Sequence, residues 1–220
     1  RDLHKEYRRQ RQMCIRDIGS TGSNGLTSDT SGTVNLSTAI LTNAKLSKAD
    51  LTGANLTSAN LVGADLTGAN LTSTTLTGTG FSVTDSTTGV VTAANLTSAI
   101  LTSANLASQD LTGVDFEKAD LSGADLTGAD LENAILTGAK LITDGTNTVK
   151  LMGATLTGAK LSKADLTGAD LGLNSAVKTN LVGADLTGAI LKNADLASAI
   201  LVNDTVGSKG ANLEKADLTG

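Results

Sequence analysis

The sequence predicts an all-β solenoid that winds in square coils of about 20 residues and extrudes loops. Leucine recurs at every fifth position: 30 of the 34 positions in one register from Leu36 to Leu201 are Leu or Phe. Alanine stands two residues earlier at 23 of those 34 positions. A period of five fits neither a helix nor a strand, so the backbone has to turn a corner in each unit to bring every Leu inward. Four corners close one coil, and stacked coils hydrogen-bond about 4.8 Å apart.

The first 17 residues differ from the rest of the chain, because they hold all of its Arg, His, Tyr and Cys residues. No apolar stretch follows their charges, so no signal peptide is visible. The segment Met13–Asp17 resembles the translation of a sequencing-library adapter. We expect residues 1–17 to be non-native or a disordered basic segment, and residues 18–33 to be an irregular lead-in.

The repeated unit is Ala-(Asp/Asn)-Leu-(Thr/Ser)-Gly, as in Ala64–Gly68. Ala is small because it points inward beside Leu, and Thr, Ser and Gly suit corners and the outer surface. These units resemble the pentapeptide repeat family over about Val34 to Gly220. The resemblance implies a right-handed quadrilateral β-helix over residues 34–220. Because the sequence stops inside a repeat with no capping element, we expect a truncated C-terminus and end-to-end self-association.

The repeat is interrupted four times, and we expect loops to be extruded there. The interruptions are 82–90, 142–150, 172–180 and 202–210. Three of them, and the related segment 27–34, carry an Asp beside Ser, Thr or Gly. These residues, Asp29, Asp85, Asp144 and Asp204, are 56, 59 and 60 residues apart. Since 60 residues are three coils, the spacing predicts that the loops recur on one side of the solenoid.

Two groups of residues are candidates for an interaction surface. If the loops preserve the coil count, a column of acids forms on one face as a solvated ladder rather than a glycosidase pair. Its members are Asp65, Asp85, Asp125, Asp165 and Asp185. The second group is the Ile residues that replace Asp or Asn before the Leu, namely Ile40, Ile100 and Ile200, with Ile135 and Ile190. Either the loops cover these Ile side chains, or they form an apolar contact strip.

The residue types available exclude most catalytic sites. After Asp17 the chain has no His, Cys, Tyr or Arg, which removes zinc and haem sites, His-based triads and Cys nucleophiles. We therefore expect no enzyme activity and no cofactor. Asp144 and Asn147 flank Gly145 with oxygen ligands that suit Ca²⁺, but the segment lacks the spaced acids of a strong calcium loop.

The leading functional hypothesis is a structural or protein-interaction solenoid that presents Thr/Asn/Gly-rich loops and a mildly acidic face to an unknown protein partner. The alternative follows from the resemblance, because one branch of the family mimics DNA and binds gyrase. From Ile18 onward 11 Lys face 19 acids, a net charge of −8. B-DNA as long as the predicted stack of seven to nine coils carries roughly 20–26 charges, so this chain would mimic DNA only incompletely. Direct binding of nucleic acid is not expected. A carbohydrate-binding role ranks third, since the repeats carry no aromatic platform.

The sequence leaves the compartment open between the bacterial cytoplasm and secretion. No run of apolar residues is long enough for a membrane span.

Overall fold

The structure is a computed structural model that describes residues 27–28, 34–174, 177–202 and 209–219. Residues 1–17, and the segment 18–33 except Thr27 and Ser28, lie outside the described residues, so the predictions for them stay untested. Within the described chain, no helix has the length and hydropathy that a membrane span requires.

The described residues wind into eight coils, held together by single-residue parallel β-bridges. Each coil has four sides, named A to D here, and the residue before each inward Leu forms the bridge on its side. Side A is Asn35, Asn55, Thr75, Asn105, Asp125, Lys150, Asp170 and Asp195; side B is Ile40, Asn60, Gly80, Asp110, Asp130, Thr155, Asn180 and Ile200. On side B the bridges run from Ile40 to Gly80 and from Asp110 to Ile200, and none joins Gly80 to Asp110. Side C is Lys45, Asp65, Asn95, Asp115, Ile135, Lys160, Asp185 and Asn212; side D is Asp50, Asn70, Ile100, Asp120, Lys140, Asp165, Ile190 and Asp217.

Each described corner without an insertion is a β-turn with positive φ at its third residue. In the first corner the Ala39 amide donates to the Leu36 carbonyl over 3.0 Å, and Thr38 has a φ of 59°. The Thr38 amide also donates to the Thr57 carbonyl of the next coil over 2.8 Å. Glycine adopts such a φ without strain, and type II turns require it at this position. The turn therefore explains why the fifth residue of the repeat is so often Gly.

The core is one continuous column of Leu and Ala inside the coils. From Leu56 to Ala189 its members are almost completely buried, and Phe81 and Phe116 are accommodated with no exposure. Thr79 replaces an inward Ala, and its hydroxyl donates to the Leu56 carbonyl over 2.8 Å. A polar side chain is tolerated there because a carbonyl of the preceding coil satisfies it.

Three antiparallel hairpins are added to the coils. Their strands are β1 (Thr27–Ser28), β2 (Val34–Asn35), β3 (Ser82–Thr84), β4 (Val91–Ala93), β5 (Leu173–Asn174) and β6 (Val177–Lys178). They pair β1 with β2, β3 with β4 and β5 with β6.

The interruptions of the repeat are extra residues that leave the coil, which confirms the predicted loops. Bridged residues are normally 20 apart, but Asp65 bridges Asn95 across the β3–β4 hairpin. Asp125 likewise bridges Lys150, and Asp185 bridges Asn212. Each loop therefore lengthens its coil in sequence, and bridges on at least three of the four sides still join that coil to the next.

The prediction that the loops share one side is wrong. The β3–β4 hairpin leaves at the corner between sides B and C, where the interruption between Ile200 and Asn212 also falls. The segment 142–149 leaves between D and A, and the β5–β6 hairpin leaves between A and B. The physical reason is that every insertion adds residues to a coil, so 60 residues no longer make three coils. Asp29 and Asp204 lie outside the described residues.

Candidate interaction surface

The predicted acidic ladder does not form. Asp65 and Asp185 lie on side C, Asp125 on side A and Asp165 on side D, while Asp85 lies in the β3–β4 hairpin. The insertions cause this, because each moves the downstream residues of a 20-residue column to another side. The structure therefore divides the acids among several sides, with Lys residues between them.

The Asp and Asn residues before the Leu have a structural role that the sequence reasoning missed. The Thr52 amide donates to Asp50 Oδ1 over 3.1 Å, and the Thr52 hydroxyl donates to the same atom over 2.6 Å. The Ser37 amide donates in the same way to Asn35 Oδ1 over 3.0 Å. Such Asx turns provide an acceptor for the amide of the residue after the Leu, which has no partner in the neighbouring coil. The signal was visible as the recurring Asp-Leu-Thr triplet.

Hydrogen bonds within and between coils keep several of these acids ionised. The hydroxyls of Ser47 and Thr67 each donate to Asp65 over 2.7 Å, and they hold its pKa below the usual range. Ser162 and Thr187 lower the pKa of Asp185 in the same way. These carboxylates therefore stabilise the fold through their hydrogen bonds as well as contributing negative charge to the surface.

The two hypotheses for the Ile residues also need correction. Ile40 is 68% exposed and Ile100 is 40% exposed, so the loops do not cover them. Ile40 and half-buried Ile200 lie on side B, at opposite ends of the described coils, whereas Ile100 lies on side D. The Ile side chains are therefore separate and form no strip, because the unit that carries Ile occurs on different sides.

The β3–β4 hairpin is the most apolar exposed element described. Val83 is 52% exposed and Val90 is 61% exposed. The hairpin is anchored at its base, where the Ser82 hydroxyl donates to Asp110 Oδ1 over 3.0 Å. Beside it, Val91 packs so closely over Gly113 that a Cβ there would lie 2.9 Å from the Val91 side chain.

The register of this hairpin leaves backbone groups free for another strand. The Ala94 amide donates to the Phe81 carbonyl over 2.8 Å, and the Asp85 amide donates to the Val90 carbonyl over 2.9 Å. Because such pairs alternate along antiparallel strands, the amides and carbonyls of Thr84 and Val91 point away from each other. Among the described residues, no other backbone group hydrogen-bonds to those of Thr84 and Val91, so these groups can pair with another strand.

The loop at 142–149 folds back along the corner between sides D and A. The Asp144 carboxylate accepts the Ser103 hydroxyl, two coils away, and the amides of Thr146 and Asn147 over 2.9 and 2.7 Å. These bonds, the one from Ser103 most of all, hold the pKa of Asp144 far below its usual range. The carboxylate also covers the Cα of Gly123, where a Cβ would collide with it.

This geometry gives Asp144 and Asn147 a role other than that of calcium ligands. Both Asp144 oxygens accept protein hydrogen bonds, one of them from the Asn147 side chain over 3.2 Å. In the described part of the chain, no three Asp, Glu, His or Cys side chains come together as a possible metal site.

A polar groove of about 470 Å³ lies between this loop and side A. The residues that carry its polar lining are Ser103, Asn105, Asp125, Thr146, Asn147, Thr148 and Lys150. The Lys150 ammonium donates to Asp125 Oδ2 over 3.1 Å across adjacent coils.

The repeat pattern matches the family model described as pentapeptide repeats, with eight copies. The matched residues are 34–57, 49–82, 92–128, 115–142, 150–172 and 176–203, well over half of the chain. The chain belongs to the pentapeptide repeat family. The quadrilateral β-helix expected of a pentapeptide repeat protein is thereby confirmed, and its loops fall largely between the matched segments.

Solved structures of pentapeptide repeat proteins resemble this one. HetL from the cyanobacterium Nostoc, involved in the regulation of heterocyst differentiation, is 32% identical, with a TM-score of 0.55 over 84% of this chain and 79% of its own. Full-length QnrB1, a plasmid-mediated fluoroquinolone resistance protein, is 19% identical, with a TM-score of 0.30 over 81% of this chain and 91% of its own. Rfr23 from the cyanobacterium Cyanothece is 28% identical, with a TM-score of 0.25 over 73% of this chain and 84% of its own. A search of curated proteins gave no significant match.

Proposed function

We propose that this pentapeptide repeat protein is a non-enzymatic interaction solenoid that contacts a protein partner through the β3–β4 hairpin. The observation that carries the proposal is the exposure of Val83 and Val90 on an element with open strand edges. Apolar side chains on a rigid support are typical of protein contacts, and open edges can pair with a strand of another protein.

The rest of the surface supports the same function. The coils hold the hairpin on a rigid core, and loops on such scaffolds commonly carry binding residues. The mildly acidic surface favours partners with a basic contact area. A regulatory role, as described for HetL, suits a protein that acts by contact rather than by catalysis.

The test is to compare captured proteins. The purified protein is immobilised beside the double variant Val83→Ser/Val90→Ser, and bound bacterial proteins are quantified by mass spectrometry. The matched control is Val177→Ser, which removes a similarly exposed Val from the β5–β6 hairpin. We expect a set of proteins that the wild type and the control retain and the double variant loses; equal retention by all three contradicts the proposal.

DNA mimicry is the alternative proposal, and the distribution of acidic and basic side chains does not favour it. Acids that would imitate phosphates pair with Lys residues of neighbouring coils, as Lys150 does with Asp125 and Lys192 does with Asp217 over 3.3 Å. A gyrase supercoiling assay with the purified protein separates the two functions. Inhibition or protection of gyrase at micromolar concentration would favour mimicry.

A further inference from the structure

The groove between the 142–149 loop and side A has the dimensions of a small-molecule site. Its volume of about 470 Å³ lies within the range of ligand pockets in proteins. The floor is formed by residues of three successive coils, Asn105, Asp125 and Lys150, which the β-bridges hold in one column. The wall is formed by Asn147 and Thr148 of the loop.

Hydrogen bonds within the chain hold the wall of the groove in position. Asp144 ties the loop to the solenoid through the Ser103 hydroxyl and organises it through Thr146 and Asn147. The Lys150 side chain is held by its ion pair with Asp125. A ligand would therefore meet an ordered site and would lose little affinity to the ordering of side chains.

The lining presents both hydrogen-bond donors and hydrogen-bond acceptors. Within the described residues, the Asn105 amide nitrogen, the Asn147 side-chain oxygen and the Thr148 hydroxyl have no hydrogen-bond partner. Lys150 uses one donor on Asp125, and an ammonium group has three. Ala104 is the one apolar side chain among the described residues that line the groove.

The charge of the groove argues against an ionic ligand. Asp125 and Lys150 lie on adjacent coils and neutralise each other, and the Asp144 carboxylate behind the lining accepts hydrogen bonds from Ser103, Thr146 and Asn147. A bound anion would therefore face carboxylates, and a bound cation would face the ammonium group. A neutral ligand with many hydroxyl groups meets neither cost, because each hydroxyl both donates and accepts. We propose that this groove binds a neutral polyhydroxyl ligand, such as a mono- or disaccharide.

This site is independent of the proposed protein contact, because the groove lies at the D–A corner and the β3–β4 hairpin lies at the B–C corner. None of the described residues that line the groove is aromatic, so we expect weak binding.

The proposal is tested by two-dimensional amide NMR of the ¹⁵N-labelled full chain, titrated separately with glucose, galactose, maltose and cellobiose. We expect at least one sugar to give saturable shifts confined to the amides around Asn105, Thr148 and Lys150. Inorganic phosphate and free arginine serve as anionic and cationic probes. The proposal is overturned if no sugar shifts these amides, or if phosphate or arginine binds there more tightly than every sugar.

Two double variants assign the binding to the groove. Thr148→Val/Lys150→Ala removes one hydroxyl and one ammonium group from the lining, and should weaken sugar binding about tenfold. Thr157→Val/Lys160→Ala makes the same chemical changes at a corner and side away from the groove, and should leave affinity unchanged. The dispersion of the amide spectrum shows whether each variant is folded. Equal affinity in both folded variants would also overturn the proposal.

Discussion

At the scale of single residues, the corners explain the repeat. The residue with positive φ is Gly at Gly68 and Gly123, but Lys at Lys48 and Ser at Ser58. An L-residue in this conformation costs roughly 1–2 kcal/mol, and the fold tolerates the cost at many corners. What a given Gly contributes therefore depends on what lies above its Cα.

Two Gly→Ala substitutions separate backbone strain from packing. Gly68 and Gly123 have φ of 65° and 67°, but a Cβ at Gly68 would lie 3.6 Å from Lys48 Cγ, whereas one at Gly123 would collide with Asp144. We expect Gly68→Ala to lower the free energy of unfolding by about 1 kcal/mol, and Gly123→Ala to lower it by about a further 1 kcal/mol or more. Urea denaturation measures both. Equal losses would show that Asp144 does not occupy the space above Gly123.

Thr179 is the residue on which the corner below the β5–β6 hairpin depends. Its buried hydroxyl donates to the Leu151 carbonyl over 2.8 Å, lies 3.1 Å from the Gly172 carbonyl, and accepts the Gly153 amide over 3.0 Å. Thr179→Val keeps the shape of the side chain but leaves the Gly153 amide and the Gly172 carbonyl without this partner, whereas the Leu151 carbonyl keeps the Ala154 amide as a donor. The substitution should cost about 1–3 kcal/mol.

The matched control for Thr179 is Thr79→Val. The Thr79 hydroxyl donates to the Leu56 carbonyl, which keeps the Ala59 amide as a donor over 2.9 Å after the substitution. Its cost should be clearly smaller in the same urea titration. If Thr79→Val proved as damaging as Thr179→Val, the bonds to Gly153 and Gly172 would contribute nothing.

At the scale of elements, the hairpins are additions that the coil does not need. The core residues Phe81 and Ala94 border the β3–β4 hairpin and are both buried. An ordinary corner has only two residues between such positions, so the rest of the hairpin is surplus to the coil. Its own contacts, such as that of Ser82 with Asp110, are at the exposed surface.

Removal of the hairpin should therefore restore a regular coil. Deletion of residues 82–91 together with Ala93→Gly leaves Phe81-Thr-Gly-Ala94, which has the residues of a normal corner. We expect the thermal midpoint to stay within a few degrees of the wild-type value, because shortening a loop changes the chain entropy only slightly. The control keeps Ala93 in the same deletion, and should melt lower because an L-residue then takes the positive φ. Loss of the folded state in both deletions would contradict the independence of coil and hairpin.

The elements also show what the sequence could and could not predict. The Leu period predicted the core, the corners and the positions of the loops, because an inward Leu recurs every five residues on all four sides of the coil. The distribution over sides was not predictable, since insertions of five or ten residues leave Leu96 and Leu181 in the five-residue register. An insertion of one or two five-residue units has the same effect on the Leu register whether it continues the coil or leaves it as a hairpin. The groove beside Lys150 was missed for this reason, as it depends on one such loop folding back.

At the scale of the whole molecule, acids that hold corners together make stability depend on pH. The pKa values of Asp65, Asp144, Asp185 and Asp217 are lowered in the folded state by hydrogen bonds from hydroxyl and amide groups. A lowered folded-state pKa adds stability that is present above the unfolded value and is lost as pH falls through the folded value.

The molecule should accordingly be stable at neutral pH and weaken in acid. We expect the urea midpoint to be nearly constant above about pH 5 and to fall below about pH 4. Asp65→Asn provides the comparison, because the amide oxygen can still accept the Thr67 amide but does not titrate. The urea midpoint of Asp65→Asn should fall less between about pH 5 and pH 3 than that of the wild type. A midpoint that does not change down to about pH 3 would mean that these hydrogen bonds do not favour the ionised form.

The unit length of five has one more consequence for how such a protein can change. An insertion of five residues has two permitted outcomes: it adds a quarter turn to the coil, or it leaves as a loop, as the insertion between Asp125 and Lys150 does. Both keep every downstream Leu in phase with the core. Yet the first outcome rotates all downstream surface residues to the next side, and the second keeps them where they were. Duplication in steps of five can thus rearrange the whole surface of this molecule while its interior stays the same.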